Sequence, residues 1–238
     1  MQEFILQLFI STGLELLILF GIFFVFGFVL SKLEQWTLAN YYRSVGWKGI
    51  LWTAWIGTSV HEIGHVFFAE IFGHQITRVA LFSPNKMTGE LGEVDHAYNP
   101  QSIYQTLGNF FIGAAPLLFG IFILIAIGYF GAPHNFQEFK QAMHSWFFWV
   151  LMYISFCISS HLAPSRQDLK SMWIGFAQII VLLIFFNLVA AFFRYDLVQA
   201  IYRLYPLGNI FKLLAYVLGV SVTHCLVSWM ISRLFRLR

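Results

Sequence analysis

Six apolar runs, each about as long as a bilayer-crossing helix needs, leave this chain little choice of fold. They cover roughly 4–31, 47–73, 105–130, 144–162, 171–193 and 210–231. In hydrocarbon every backbone polar group must be paired within the protein, so runs of this kind become helices. The rest of the composition agrees: of 238 residues, 59% are hydrophobic and 11% charged, 28 are Phe, and the mean hydropathy is +0.72. The expected class is an all-α integral membrane protein with about six transmembrane helices and one membrane-associated β-hairpin. No connection is long and polar enough to fold separately, so residues 1–238 read as one multi-span domain. The net charge of +3 is scattered, which excludes a nucleic-acid surface. Cys157 and Cys225 lie inside apolar runs and read as small core residues. The N-terminus has no basic n-region, so the first run is expected to remain in the protein.

Within the first run, Glu15 is expected to snorkel to, or cap a helix at, an interface, because the uninterrupted apolar part is 14–31. Residues 32–48 read as a polar connection whose Trp36, Tyr41, Tyr42 and Trp47 form an interfacial aromatic set. The longest polar connection, 74–104, predicts a hairpin over about 76–98. Ile76 to Phe82 is rich in β-formers, Ser83-Pro84-Asn85-Lys86 and Gly89 supply a turn, and Leu91 to Tyr98 returns. The third run contains Asn109, expected to hydrogen-bond between helices, and Gly113-Ala114-Ala115-Pro116, expected to loosen the helix. Residues 194–212, with Tyr195, Tyr202, Arg203 and Tyr205, predict an amphipathic helix in the interface.

The chemistry concentrates in the second run, at His61-Glu62-Ile63-Gly64-His65. On a helix His61 and His65 stand one turn apart on one face, so both imidazoles can address one metal ion. Glu62, beside them, can take a proton from water without being a ligand. Three ionisable groups at membrane depth cost several kcal/mol unless they are paired or metal-bound. The alternative is a pair of histidines hydrogen-bonded between helices. A catalytic zinc takes three protein ligands. Candidates for the third are His74, His96, His161, His224, Glu70, Asp168, Glu90, Glu93 and Asp95. Runs three and four lead out and back, which returns His161 and Asp168 to the depth of the motif.

This pattern resembles the intramembrane metalloproteases of the site-2 protease type. The residues that carry the resemblance are His61 to His65, the hairpin, Gly113-Ala-Ala-Pro116, and His161-Leu-Ala-Pro164 followed by Asp168. They span about 47–193, roughly three-fifths of the chain, with 4–31 and 210–231 as peripheral helices. The resemblance implies zinc held by His61, His65 and Asp168, with Glu62 as general base. Three features depart from it: His161 stands in place of the family's Asn, Leu169 follows Asp168 in place of Gly, and Ala115-Pro116 replaces Gly-Pro. His161 and Asn109 are therefore candidate substrate contacts, and His161 is also a candidate ligand.

The expected activity is hydrolysis of a peptide bond in or near the transmembrane helix of a membrane-protein substrate, inside the lipid bilayer. The resemblance implies that a hairpin edge captures the unwound substrate by strand addition. An alternative is a non-catalytic metal-binding protein of the same fold, acting as a binding or chaperone-like factor; Glu62 argues against it, since a structural site needs no base. A di-iron enzyme is disfavoured because the eight histidines form no second box. Six crossings place both termini on one side. Lys and Arg divide seven against seven between the faces, so charge gives no orientation. The resemblance places the site nearer the cytosolic face of the cell membrane.

Overall fold

The chain opens with one continuous helical rod. In the computed structural model, which describes residues 2–131, 133, 136–204 and 207–235, α1 (Gln2–Leu16) passes through a π-helical turn (Leu17–Gly21) into α2 (Ile22–Val45). Tyr205, named above, and Arg236 and Arg238, which enter the Lys and Arg count, lie outside the described residues. The rod's 44 residues reach about 66 Å at 1.5 Å per residue, twice the hydrocarbon thickness. The expected polar connection 32–48 is thus mostly helix. Only Gly46, at φ 69°, stops it, in a conformation that costs glycine nothing, with its N–H bonded to the Tyr42 carbonyl.

Glu15 corrects a second expectation. It is fully buried and does not snorkel: Asn187 Nδ2 donates to its Oε2 at 2.6 Å and to Thr12 Oγ1 at 3.2 Å. A carboxylate facing a long neighbouring helix finds a buried partner closer than water, and the sequence around Glu15 contains no trace of Asn187.

The motif helix α3 (Trp47–Ile71) follows, and Gly73 (φ 66°) turns the chain into the hairpin. Strands β1 (Gln75–Ala80) and β2 (Glu93–Ala97) pair antiparallel from Gln75 opposite Ala97 to Ala80 opposite Glu93, with a bulge between Ile76 and Arg78. The expected third span is broken. Helices α4 (Ile103–Gly113) and α5 (Ala115–Gly131) meet at 60°, because Pro116 has no N–H to offer the preceding turn. After α6 (Phe136–Ala142), α7 (Trp146–Ser159) has 14 residues, about 21 Å, and ends at the Ser159–Pro164 break. Helix α8 (Arg166–Phe192), the short α9 (Leu197–Leu204) in the segment expected to lie in the interface, and α10 (Leu207–Leu234) complete the chain.

Among the described residues three helices are long and apolar enough to cross a membrane, or four if the bent α4–α5 pair counts as one span. The burial pattern is compatible with a membrane protein. Phe9, Phe28, Phe122 and Phe185 face outward, while polar side chains turn inward and pair. Tyr41 Oη and Ser159 Oγ lie 2.9 and 3.1 Å from the two nitrogens of His224, tying α2, α7 and α10 together. Leu30, Leu117, Ile121, Leu124, Ile158 and Leu214 form one core; Phe110, Ala114, Met172 and Ile179 form a second between α4 and α8. Helix α3 touches α2, α4, α5 and α7, so its histidines sit inside the helix assembly.

Candidate metal centre

Asp168 meets the histidines because of how α8 begins. Pro164 cannot continue a helix, and Ser165 caps the new one: its Oγ accepts the Asp168 N–H at 3.1 Å, and Asp168 Oδ2 accepts the Ser165 N–H at 2.7 Å. This capping box fixes the Asp168 rotamer, and the positive end of α8 favours its carboxylate. Helix α4 brings that end close: a methyl group at Gly113 would collide with the Asp168 carbonyl and with Met172, so only glycine allows this approach.

The result is a three-sided cluster. Asp168 Oδ2 lies 3.6 Å from His61 Nε2, and Asp168 Oδ1 lies 3.3 Å from His65 Nε2. One ligand atom from each of the three residues lies within 4.8 Å of the others. Two donors at zinc-like bond lengths, tetrahedrally disposed, are about 3.3 Å apart, so the set fits a metal of that size. His61 is also set in the correct tautomer. Its Nδ1 is 3.0 Å from the His161 carbonyl, which can only accept, so Nδ1 carries the proton and the Nε2 lone pair is free for a metal.

Glu62 is buried beside this cluster. Gly92, in the hairpin, lies directly on it: an added Cβ would come within 2.8 Å of Glu62 Cγ and of Thr58 Cγ2. A cavity of about 210 Å³ opens against the cluster, lined by His65 and Asp168, Asn109 of α4, His96 of β2, and Lys170 and Ser171 of α8. The cavity therefore has β2 along one wall and two of the three cluster residues, His65 and Asp168, along another.

The remaining ligand candidates are engaged elsewhere or stand apart. His74 Nε2 donates to the Gln105 carbonyl at 2.8 Å, which leaves its Nδ1 to accept from His96 Nδ1 at 3.0 Å. Burial lowers the pKa of His74. For His96, burial first and the neighbouring His74 second push it down to about 4, so both rings are neutral at pH 7. Glu93 pairs with Arg78 at 2.9 Å, Glu90 accepts from Thr88, and His224 belongs to the α2–α10 network. Glu70 is exposed, and Asp95 lines the cavity outside the cluster. His161 departs from its expected place. Its ring packs under α3 at Gly57, with Nδ1 3.2 Å from the Cys157 carbonyl, and it does not line the cavity; only its backbone oxygen serves the site.

Two participants were missed by the sequence reading. Glu34 of α2 accepts the Ala163 N–H through Oε2 at 2.6 Å, so the 161–163 segment that holds His61 is itself anchored to α2. The false reading of 32–48 as a connection hid it. Ser165 was legible: a Ser three residues before an Asp, ahead of an apolar run, is a capping-box signature. No protein-family model, curated protein or solved structure matches the chain.

Proposed function

We propose that the chain is an intramembrane zinc metalloprotease of the site-2 protease type, cleaving a peptide bond in or near a substrate transmembrane helix. The observation that supports this most is the cluster of His61, His65 and Asp168 with Glu62 buried next to it in the motif, and a strand-walled cavity that His65 and Asp168 line. A structural metal site would have no use for the base or for the cavity. Six crossings suit this reading, with the bent α4–α5 pair as one and α3 and α7 as two more. By the family resemblance, the site lies nearer the cytosolic face.

His61, His65 and Asp168 would hold the zinc. When bound, the ion supplies a Lewis acid and makes water acidic enough to attack near neutral pH. Glu62 takes the proton released as water attacks the scissile carbonyl carbon and delivers it to the departing amine. The free edge of β2 supplies backbone partners to an unwound substrate, which has little water available to satisfy its own N–H and C=O groups. The His161 carbonyl keeps His61 oriented, and the Ser165 cap keeps Asp168 oriented.

The test is a comparison of membrane proteomes from cells carrying wild type or Glu62→Gln, with zinc measured in both purified proteins. Fragments that vanish with Glu62→Gln, at unchanged zinc content, support proteolysis. Identical fragment sets with full zinc in both proteins would leave a non-catalytic metal-binding role in its place.

A further inference from the structure

Asn109 is 1% exposed and half-satisfied. Its Oδ1 accepts from Ser171 Oγ at 3.1 Å, and its Nδ2 has no hydrogen-bond partner among the described residues. A buried donor left without an acceptor loses its hydration with nothing in return, so such a group calls for a use. This one lines the same cavity as His65 and Asp168. Its position is doubly defined: Ser171 lies one turn beyond Asp168 on α8, and α4 approaches α8 at Gly113, one turn beyond Asn109. The Ser171 bond turns the carbonyl end of the amide aside and leaves the N–H end as the unspent donor.

We propose that the Asn109 amide donates the hydrogen bond that receives the scissile carbonyl oxygen as negative charge develops on it; the inference rests on the protease reading. When the oxygen of water bonds to the carbonyl carbon, the carbonyl π pair moves onto its oxygen and the released proton goes to Glu62. Asn109 Nδ2–H stabilises that oxygen. The pair returns as the C–N bond breaks, and the leaving nitrogen takes the proton from Glu62. The ligand class is thus the backbone carbonyl of an extended peptide lying along β2. His161, the other candidate contact, has its ring beneath α3 at Gly57, outside the cavity.

The experiment uses the full chain, zinc-loaded in detergent, as wild type, Asn109→Ala, Asn109→Asp and Glu62→Gln. Asn109→Ala removes the donor and the acceptor without adding charge; Asn109→Asp keeps the acceptor for Ser171 but exchanges the amide donor for a carboxyl group, which adds a charge when ionised. Three quantities are read: zinc per chain, kcat and KM on fluorescein-labelled casein, and the Kd of a peptide hydroxamate by calorimetry. The expected result is unchanged zinc and a kcat about 10²–10³-fold lower in both Asn109 variants, with KM little altered. The hydroxamate, which also presents a carbonyl oxygen, should bind at least about tenfold more weakly, as for one lost charge-assisted bond. Wild-type kcat and hydroxamate Kd in both variants would overturn the donor role while the protease reading stands. Loss of zinc from both variants would also overturn it, making Asn109 a support of the metal cluster. A wild type that neither cleaves casein faster than Glu62→Gln nor binds the hydroxamate removes the protease reading, and this inference with it.

Discussion

Replacing Asp168 probes two things that one side chain does, and their sizes differ enough to be separated. The carboxylate is one of three protein groups in the cluster, and it also closes the first turn of α8 through the Ser165 N–H at 2.7 Å. Structural zinc sites bind with about 10–16 kcal/mol shared among four ligands, or about 2.5–4 kcal/mol each. At about 1.36 kcal/mol per decade, Asp168→Ala should weaken zinc by about 10²–10³-fold. Losing the acceptor of the Ser165 N–H should cost a further ~1 kcal/mol of metal-free stability, while the Ser165 Oγ half of the cap remains. Asp168→Asn retains an acceptor for the Ser165 N–H but loses the charge, so it should weaken zinc while sparing most of the cap. Zinc affinity is measured by competition with a chromophoric chelator, and stability by thermal melting of the zinc-free proteins in detergent. Asp95→Ala and Glu90→Ala serve as controls and should hold zinc as wild type does. If Asp168→Ala retains wild-type affinity while His161→Ala empties the site, the ligand assignment is wrong.

Glu34→Leu should leave the three ligands in place but release Ala163, loosening the His161 carbonyl from His61; a 10–100-fold loss of zinc affinity, the usual scale for outer-shell partners, is the expected result, and wild-type affinity would refute it. The hairpin base should weaken in acid. His96 has its folded pKa depressed to about 4 from an ordinary 6.5, so its contribution is complete above pH 6.5 and is lost as pH falls toward 4. Hydrogen exchange of hairpin amides in the zinc-free protein should accelerate across that window, and His96→Gln should flatten the profile. In the α1–α8 contact, Asn187→Leu alone should destabilise by about 1–3 kcal/mol by stranding Glu15, whereas Glu15→Leu with Asn187→Leu should recover most of it in thermal melting; additive losses would show that the two side chains are uncoupled. Single cysteines at Gln2, Lys86, Lys140, Arg166 and Arg238, in a background without Cys157 and Cys225, should label with an impermeant thiol reagent from one face, except Lys140 from the other. Lys86 and Arg166 labelling from opposite faces would rule out a shared zinc.

What could be read in the sequence was whatever depends on neighbours along the chain. Apolar runs announce helices because the bilayer demands length and internal backbone pairing, and that demand is local. The i, i+4 spacing of His61 and His65 announces a shared face for the same reason, as do the β-formers and turn residues that place the hairpin within a residue or two of its observed strands. The bend before Pro116 was legible as a weakness, although its 60° angle was not.

What the tertiary structure alone decided are the pairings across a hundred residues or more. Nothing near Glu15 predicts Asn187, and nothing near Glu34 predicts the Ala163 N–H, because a buried carboxylate takes whichever donor the packed helix brings to it. His161 and Asp168 were equal candidates by topology. Their difference arises from Gly57, which lets α7 press the His161 ring beneath α3, and from Gly113, which lets α4 hold the start of α8. Those two close approaches are set by side chains that are absent, and a missing Cβ acquires meaning only when another helix lies against it.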